Sequence, residues 1–460
     1  MSVIAEIASS IYKTSFDDLE DEIVFRAKER IIDVVGCIVG GADAPGCSNL
    51  RALLEEWGGK EESTILVFGK KVPAAHAAFM NAVMARSYDF EPTGPYVEGK
   101  SLPGHISGTT VPVAISVAEK CGLSGRELIT ALVLGDDIAS RLLHASKFNI
   151  DSGWDSTGIV NAFGAAAIAS KLMKLNEEGI VNAFGIVINF LGGTFQNIFD
   201  AAHSFKLPQG FSAYAGILSA ELAQRGFTGV KDPLLGKHGY FSLYCKTYEL
   251  GYLTRGLGKH FYADSTCKPY PCCRSNHAAI QAVLELVSIH NIKPDEIHEV
   301  IVEVPPIAFD FAVGQPFRIG GGGELQIKAA FSLQYTVASA ILRRGVELEH
   351  FTDEFIKDEA VAKMIRKIRL SPGMPADLPL AGKVKIKMKD GAEWEREVRI
   401  PKGSNVFTPM SSEEKTEKFF KNVRFSKKIP LERAKRAFGM MVELEKIDRV
   451  GKIVELLVTR

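Results

Sequence analysis

Long runs of a single character are what this chain lacks. No uninterrupted apolar stretch approaches the roughly 20 residues that a membrane-crossing helix needs. The most apolar segment, Ile159 to Leu172, is broken by Asn161, Gly164 and Lys171. There is no block of like charge, and 55 Lys and Arg balance 55 Asp and Glu, so the electrostatic footprint of a nucleic-acid or membrane partner is missing. Cysteine is scarce: Cys37, Cys47, Cys121, Cys245, Cys267, Cys272 and Cys273 form an odd, scattered set. Reduced thiols in a cytoplasmic compartment are therefore expected, without structural disulfides. No Cys-x-x-Cys occurs, so the grouping of Cys267, Cys272 and Cys273 with His277 gives no zinc or iron–sulfur pattern and no metal is expected. No Gly-x-Gly-x-x-Gly follows a strand pattern, and the run Gly320 to Gly323 leads into Glu324 and Leu325 rather than Lys-Ser/Thr. A nucleotide cofactor is unsupported, and the glycine run reads as a mobile, substrate-covering loop. The opening residues, soon followed by Asp17, Asp18, Glu20, Asp21 and Glu22, lack the basic region and apolar core of a secretory signal.

What the chain does have is helical periodicity. At 460 residues it is too long for one simple core. Up to residue 263 the apolar spacing is mostly that of helices, as in Ile23, Ala27, Ile31 and Val35. Ser124-Gly-Arg-Glu127 spells a capping box, Asn176 opens another helix, and small residues crowd Ala74 to Ala85, Ala162 to Ser170 and Ala213 to Ala223. Small side chains let helix backbones approach closely, so this part reads as a helical bundle. Ser63 to Phe68, before Gly69-Lys70-Lys71, reads as a short hairpin. Between residues 264 and 404 the texture changes. Glu299 to Val304 and Val384 to Met388 alternate like half-buried strands, the second joined to Glu393–Ile400 by Lys389-Asp390-Gly391, with helical patterns over His277 to His290 and Leu325 to Leu342. Residues 405–460 are helical and charged. The fold class expected is mainly α, a large helical-bundle domain with a smaller α+β lid domain.

Chemistry concentrates in a few places. Asp89, Thr93 and His105 stand just ahead of an Ala-rich helix, where free backbone N–H groups favour anions. Lys206 and His203 precede a helix beginning near Gln209, and Lys268-Pro-Tyr-Pro-Cys-Cys-Arg274-Ser-Asn-His277 supplies three cationic or ionisable groups before another helix. Tyr335 offers a phenolic donor, and Asp155 either points into a site or caps the helix starting near Thr157.

With Gly153 to Lys171, Lys206 to Gly216, Arg225 to Gly229 and Phe331 to Tyr335 following in order, these segments resemble the MmgE/PrpD superfamily, which includes 2-methylcitrate dehydratase, cis-aconitate decarboxylase and iminodisuccinate epimerase. The resemblance implies a homodimeric, cofactor-independent enzyme acting on a small hydroxylated di- or tricarboxylate, with the C-terminal helices returning to the helical domain and the site in the cleft between domains. The reaction expected is dehydration by proton abstraction next to a carboxylate, with epimerisation or decarboxylation as alternatives and a non-catalytic family member as a further one. His105, Lys268, Asp89, Tyr335 and Asp155 are the expected catalytic residues. Lys206, Thr93, Arg274, His277 and His203 are the expected substrate-binding ones. Asp155 stands where the family pattern has histidine, so fewer substrate carboxylates are expected at that point.

Overall fold

The computed structural model describes residues 2–459. Its N-terminal part is built on the helices Asp21–Gly40, Ala74–Arg86, Ser107–Cys121, Gly125–Ala145, Val160–Leu172 and Leu207–Gln224. Val160–Leu172 is buried on nearly every face. Its small residues allow this: a Cβ on Gly216 would lie 2.3 Å from Ala165 Cβ, and one on Gly164 would lie 2.7 Å from the Gly135 carbonyl. The helices meet backbone to backbone where the sequence is richest in Ala and Gly. Ser124 and Glu127 form the expected reciprocal cap, and Asn176 accepts from Gly179 N–H at 2.9 Å. Ser63–Thr64 pairs antiparallel with Lys71–Val72, giving the short hairpin.

The strand Thr93–Val97 is flanked by Lys100–Ser101 and by Asp264–Thr266, with Thr93 opposite Thr266 and Pro95 opposite Asp264. This pairing brings the segment after Thr266 next to the segment around Asp89. Beyond it lies a four-stranded sheet in the order Ile368–Ser371, Ile297–Glu303, Gly382–Met388, Glu393–Val398, parallel in its first pair and antiparallel in the others. The helices His277–Ile289 and Leu333–Arg343 pack with it. The single helix expected over Leu325 to Leu342 is two, Leu325–Ala330 and Leu333–Arg343. Ser332 takes an extended backbone at the break and its hydroxyl caps Tyr335 N–H, and serine competes well for such a start.

The chain then crosses back. Helix Ser412–Ser426 lies on Asp21–Gly40, with Phe419 against Gly36 and Lys418 Nζ 2.5 Å from Asp33 Oδ1. Near the C-terminus Thr459 N–H donates to the Val67 carbonyl, and Val67 N–H to that of Leu457. Among the described residues no helix is long and apolar enough to cross a membrane.

Candidate active site

The helix Ala74–Arg86 ends in a tight turn at which Asp89 takes a left-handed backbone (φ 49°), a conformation that Asp tolerates better than most residues. The turn folds the chain back on Arg86, which donates from Nη1 to both Asp89 Oδ1 and Glu91 Oε1, the latter at 2.9 Å. Lys268, delivered by the pairing of Thr93–Val97 with Asp264–Thr266, closes the other side. Its Nζ donates to Asp89 Oδ2 at 2.8 Å and to the Asp89 carbonyl at 2.5 Å. His105 stands over the two acids, Nδ1 3.0 Å from Glu91 Oε1 and Nε2 3.5 Å from Asp89 Oδ1. Neighbours fix its backbone: Asn161 Nδ2 donates to its carbonyl at 2.7 Å, and the Thr93 hydroxyl to that of Gly104 at 2.6 Å.

These are buried charges, and burial decides their chemistry unless partners outweigh it. Burial would raise the Asp89 carboxyl, but Lys268 and then Arg86 hold it below its ordinary value. For Glu91, burial is likewise overcome, by Arg86 and then His105, and its carboxyl is depressed further. The His105 imidazole is pushed down from 6.5, by burial first and Arg86 next, against the pull of Glu91. At neutral pH the ring is a free base between two ionised carboxylates. Once protonated, it has an anionic acceptor beside each nitrogen. Asp89, Glu91 and His105 bring possible ligand atoms within 4.8 Å of one another, but a metal ion there would face the Arg86 and Lys268 cations already on the two acids.

His105 opens onto a cavity of about 280 Å³ at the junction of the helical and α+β parts. Arg86, Asp89, Thr93, His105 and Asp155 line one side, with Cys273, Arg274 and Ser275 from the approach to helix His277–Ile289 on the other. Most of the remaining wall is apolar, including Ile150, Phe195, Ile198, Phe311 and Phe331. Thr266 and the Gly94–Gly104 hairpin complete the rim, whereas the Gly320–Gly323 run contributes nothing to this wall and only its last residue, Gly323, lies against Asp200 and Ala201.

Comparison with known families decides the lineage. Residues 5–253 match the MmgE/PrpD N-terminal domain and residues 270–440 the MmgE/PrpD C-terminal domain. The chain belongs to the MmgE/PrpD family. It is similar to the cis-aconitate decarboxylase of Homo sapiens, 25% identical over 481 residues that cover 99% of this chain and 94% of that protein. The Mus musculus protein of the same name is 24% identical, covering 99% and 93%, and that of Aspergillus terreus 21% identical, covering 99% and 96%.

The residues that carry the MmgE/PrpD resemblance divide by place. Asp89, Thr93, His105, Asp155 and Arg274 reach the cavity wall, and Lys268 stands behind it through Asp89. Asp155 has both expected placements at once: it lines the cavity, and its Oδ1 accepts from Thr157 N–H at 2.9 Å. Four others are not on this wall. Lys206 is buried with Nζ donating to the Pro45 carbonyl at 2.6 Å, and burial lowers its pKa. His203 Nε2 lies 3.3 Å from Glu324. Tyr335 donates to the His350 carbonyl. His277 lies under Arg274, its Nδ1 3.1 Å from Arg274 Nη1.

Two members of the constellation, Arg86 and Glu91, escaped the sequence reading. A signal existed for both. Arg86 is the single Lys, Arg, Asp or Glu in the helix Ala74–Arg86, and Glu91 sits alone between Phe90 and Pro92, so each is an isolated charge in apolar surroundings that needs a partner. Asp264 is a third: its Oδ2 accepts from Ile106 and Ser107 N–H at 2.9 and 2.7 Å, ahead of helix Ser107–Cys121.

Proposed function

We propose that the protein is a lyase acting on a small carboxylic acid, in which His105 removes the proton from the carbon beside the carboxylate and a hydroxyl leaves as water. The observation that carries this reading is the neutral imidazole of His105, held between Asp89 and Glu91 at the cavity wall. A base must be unprotonated before the reaction and tolerate the proton afterwards. Burial and Arg86 meet the first requirement, and the two carboxylates the second.

In the step itself the C–H electron pair becomes the second bond of an alkene, and the C–O bond breaks with its pair going to oxygen. The imidazolium returns its proton to that oxygen, so the imidazole is regenerated and water is released. The step needs no electron carrier. Arg274 is the residue best suited to hold the substrate carboxylate: it lines the cavity and makes no ion pair among the described residues, its guanidinium being steadied by the Pro401 and Lys402 carbonyls at 2.7 Å each. Burial brings its pKa down to about 10, so it remains a cation. Negative charge that develops in the transition state gains from such fixed donors.

Asp89, Glu91, Arg86 and Lys268 are assigned to positioning His105, Thr93 to fixing the loop before it, and His277 to holding Arg274. Lys206, His203 and Tyr335 act on the site through its walls in this reading; Phe205, beside Lys206, meets the cavity-lining Phe331 edge to face at 5.9 Å. A homodimer in the cytoplasm belongs to the same reading, supported by family membership and by seven unpaired cysteines.

Decarboxylation is the second reading, favoured by the apolar wall and by the activity named for the relatives. There the bond to the departing carboxylate breaks, its electron pair takes up a proton from His105, and CO2 leaves. A substrate panel of hydroxy and unsaturated acids in deuterated water separates the outcomes. An alkene without CO2 is expected. CO2 release with deuterium incorporated at carbon would establish the second reading, and deuterium exchange without net change would mean epimerisation. Near-normal turnover by His105→Ala would remove both lyase schemes.

A further inference from the structure

The charges of the cavity balance, and their placement is uneven. Three cations, Arg86, Lys268 and Arg274, and three carboxylates, Asp89, Glu91 and Asp155, stand on or directly behind the wall. Arg86 and Lys268 are already committed to Asp89 and Glu91. Among the described residues the groups of this cavity without an ion pair are one cation, Arg274, on the α+β side and one carboxylate, Asp155, on the helical side. Between them the wall is apolar: Phe195 and Ile198 from the helical part, Phe311, Phe331 and Leu380 from the other. Phe195 and Phe311 meet edge to face at 5.9 Å across the junction, so this wall is continuous from one part to the other.

A carboxylate seated at Arg274 neutralises the one uncompensated cation. A second carboxylate would have to lie against those rings or face Asp155, and an anion desolvated without a partner is strongly disfavoured. An alkyl group in the same place replaces water on apolar surface and is favoured. Resting on the site assignment above, we infer that the substrate of this chain carries a single carboxylate and an apolar arm, a monocarboxylic acid rather than a di- or tricarboxylate. Arg274 selects the acid group, and Asp155 with the Phe195–Phe311 wall rejects further ones.

Equilibrium binding of two unreactive probes to the full chain tests this, with hexanoate as the monocarboxylate and tricarballylate as the tricarboxylate. Hexanoate is expected to bind about 10-fold tighter or more, the scale set by a few buried methylenes. Equal affinity, tighter tricarballylate, or no binding of either probe overturns the inference. Asp155→Asn keeps a cap for Thr157 N–H and is expected to tighten tricarballylate by roughly 3- to 10-fold while leaving hexanoate within about twofold. Leu380→Arg, checked for folding by circular dichroism, adds a cation to the apolar wall and should narrow the preference by a similar factor. A preference unmoved by both substitutions shows that the probes bind elsewhere and also overturns it. Turnover by His105→Ala separates the two claims: a hexanoate preference in the parent protein with unimpaired turnover in the variant leaves the specificity standing while the lyase reading falls, and no preference in the parent protein with turnover abolished in the variant does the reverse.

Discussion

His277 and Arg274 fix each other's chemistry: Arg274 Nη1 donates to His277 Nδ1 at 3.1 Å, while the opposite ring nitrogen faces the Cys272 carbonyl at 3.2 Å. Only the neutral ring with its proton on Nε2 satisfies both neighbours. A proton on Nδ1 would point at the guanidinium, and burial followed by that same arginine keeps the His277 pKa well below 6.5. His277 is therefore a support for Arg274 and is not available as an acid.

Acid sensitivity follows from this pair. With a folded-state pKa below the unfolded one, the unfolded chain takes up the proton first as pH falls below about 6.5, so the contribution to stability is complete above that value and is lost on acidification. His105 acts in the same direction, as does His350, whose pKa burial lowers to about 4. Urea midpoints should fall between pH 7 and pH 5, and His277→Gln should flatten that dependence by up to about 1.4 kcal/mol per pH unit. A midpoint that stays constant from pH 7 to 5 would contradict the buried-neutral assignment.

Proton transfer by His105 has its own profile. As a base with a lowered pKa it is ready throughout the neutral range, so kcat/KM should be flat near pH 7 and decline only below about 6.5. His105→Ala should cost roughly 100-fold or more in turnover with the fold intact. Activity that instead rises steadily as pH drops would identify His105 as the proton donor and favour CO2 loss over water loss.

Lys268→Met probes the charge behind the site. It removes the buried partner of Asp89 Oδ2, and breaking such a pair costs about 3 kcal/mol or more. It also deletes a cation that depresses His105, so the acid limb of the rate profile should move to higher pH. A role confined to packing would reduce stability without moving that limb.

Asp264 gives a test of opposite sign. Burial, with Asp136 adding to it, raises its carboxyl to about 8 against the opposing backbone hydrogen bond from Ser107, and Oδ1 has no hydrogen-bond partner among the described residues. The folded state holds the proton to about pH 8, whereas the unfolded chain releases it near 3.8. The resulting stability is fully present below the lower value and is lost as pH rises through the higher one. Asp264→Asn keeps an acceptor for Ile106 and Ser107 N–H and removes this loss. Its denaturation midpoint should gain on that of the parent protein between pH 6 and pH 9, and a constant difference would refute the assignment.

Local signals were the legible ones. Asp89, Thr93 and His105 lie within 17 residues of one another, so their convergence required only a turn and a hairpin, and the capping residues Ser124, Asn176 and Asp155 act within their own turns. Helix texture, the alternating strands near 300 and 385, and the hairpin at Ser63 were readable for the same reason. Whether Lys206 or Tyr335 faces the cavity depends on how a helix is rotated against its neighbours, and adjacent sequence carries no record of that. Lys268 meets Asp89 because Thr266 pairs with Thr93, a contact between residues 173 positions apart. Arg86 and Glu91 lacked a motif, although their isolation among apolar residues was visible.

The α+β part is entered and left at one point in space. Cys267 N–H donates to the Gly403 carbonyl at 3.0 Å, and Asn405 N–H to that of Ser265 at 2.7 Å. Gly403 has φ 113°, and a Cβ there would lie 2.2 Å from the Cys267 carbonyl, so only glycine permits the two crossings to run so close. A module whose ends meet can be lengthened, shortened or exchanged without re-threading the helices that carry it. His105 and its charged neighbours from residues 86–105 would stay with the helical body, while Arg274, Phe311 and Leu380 would travel with the insert. The two sides of the cavity can thus diversify independently of each other within one chain.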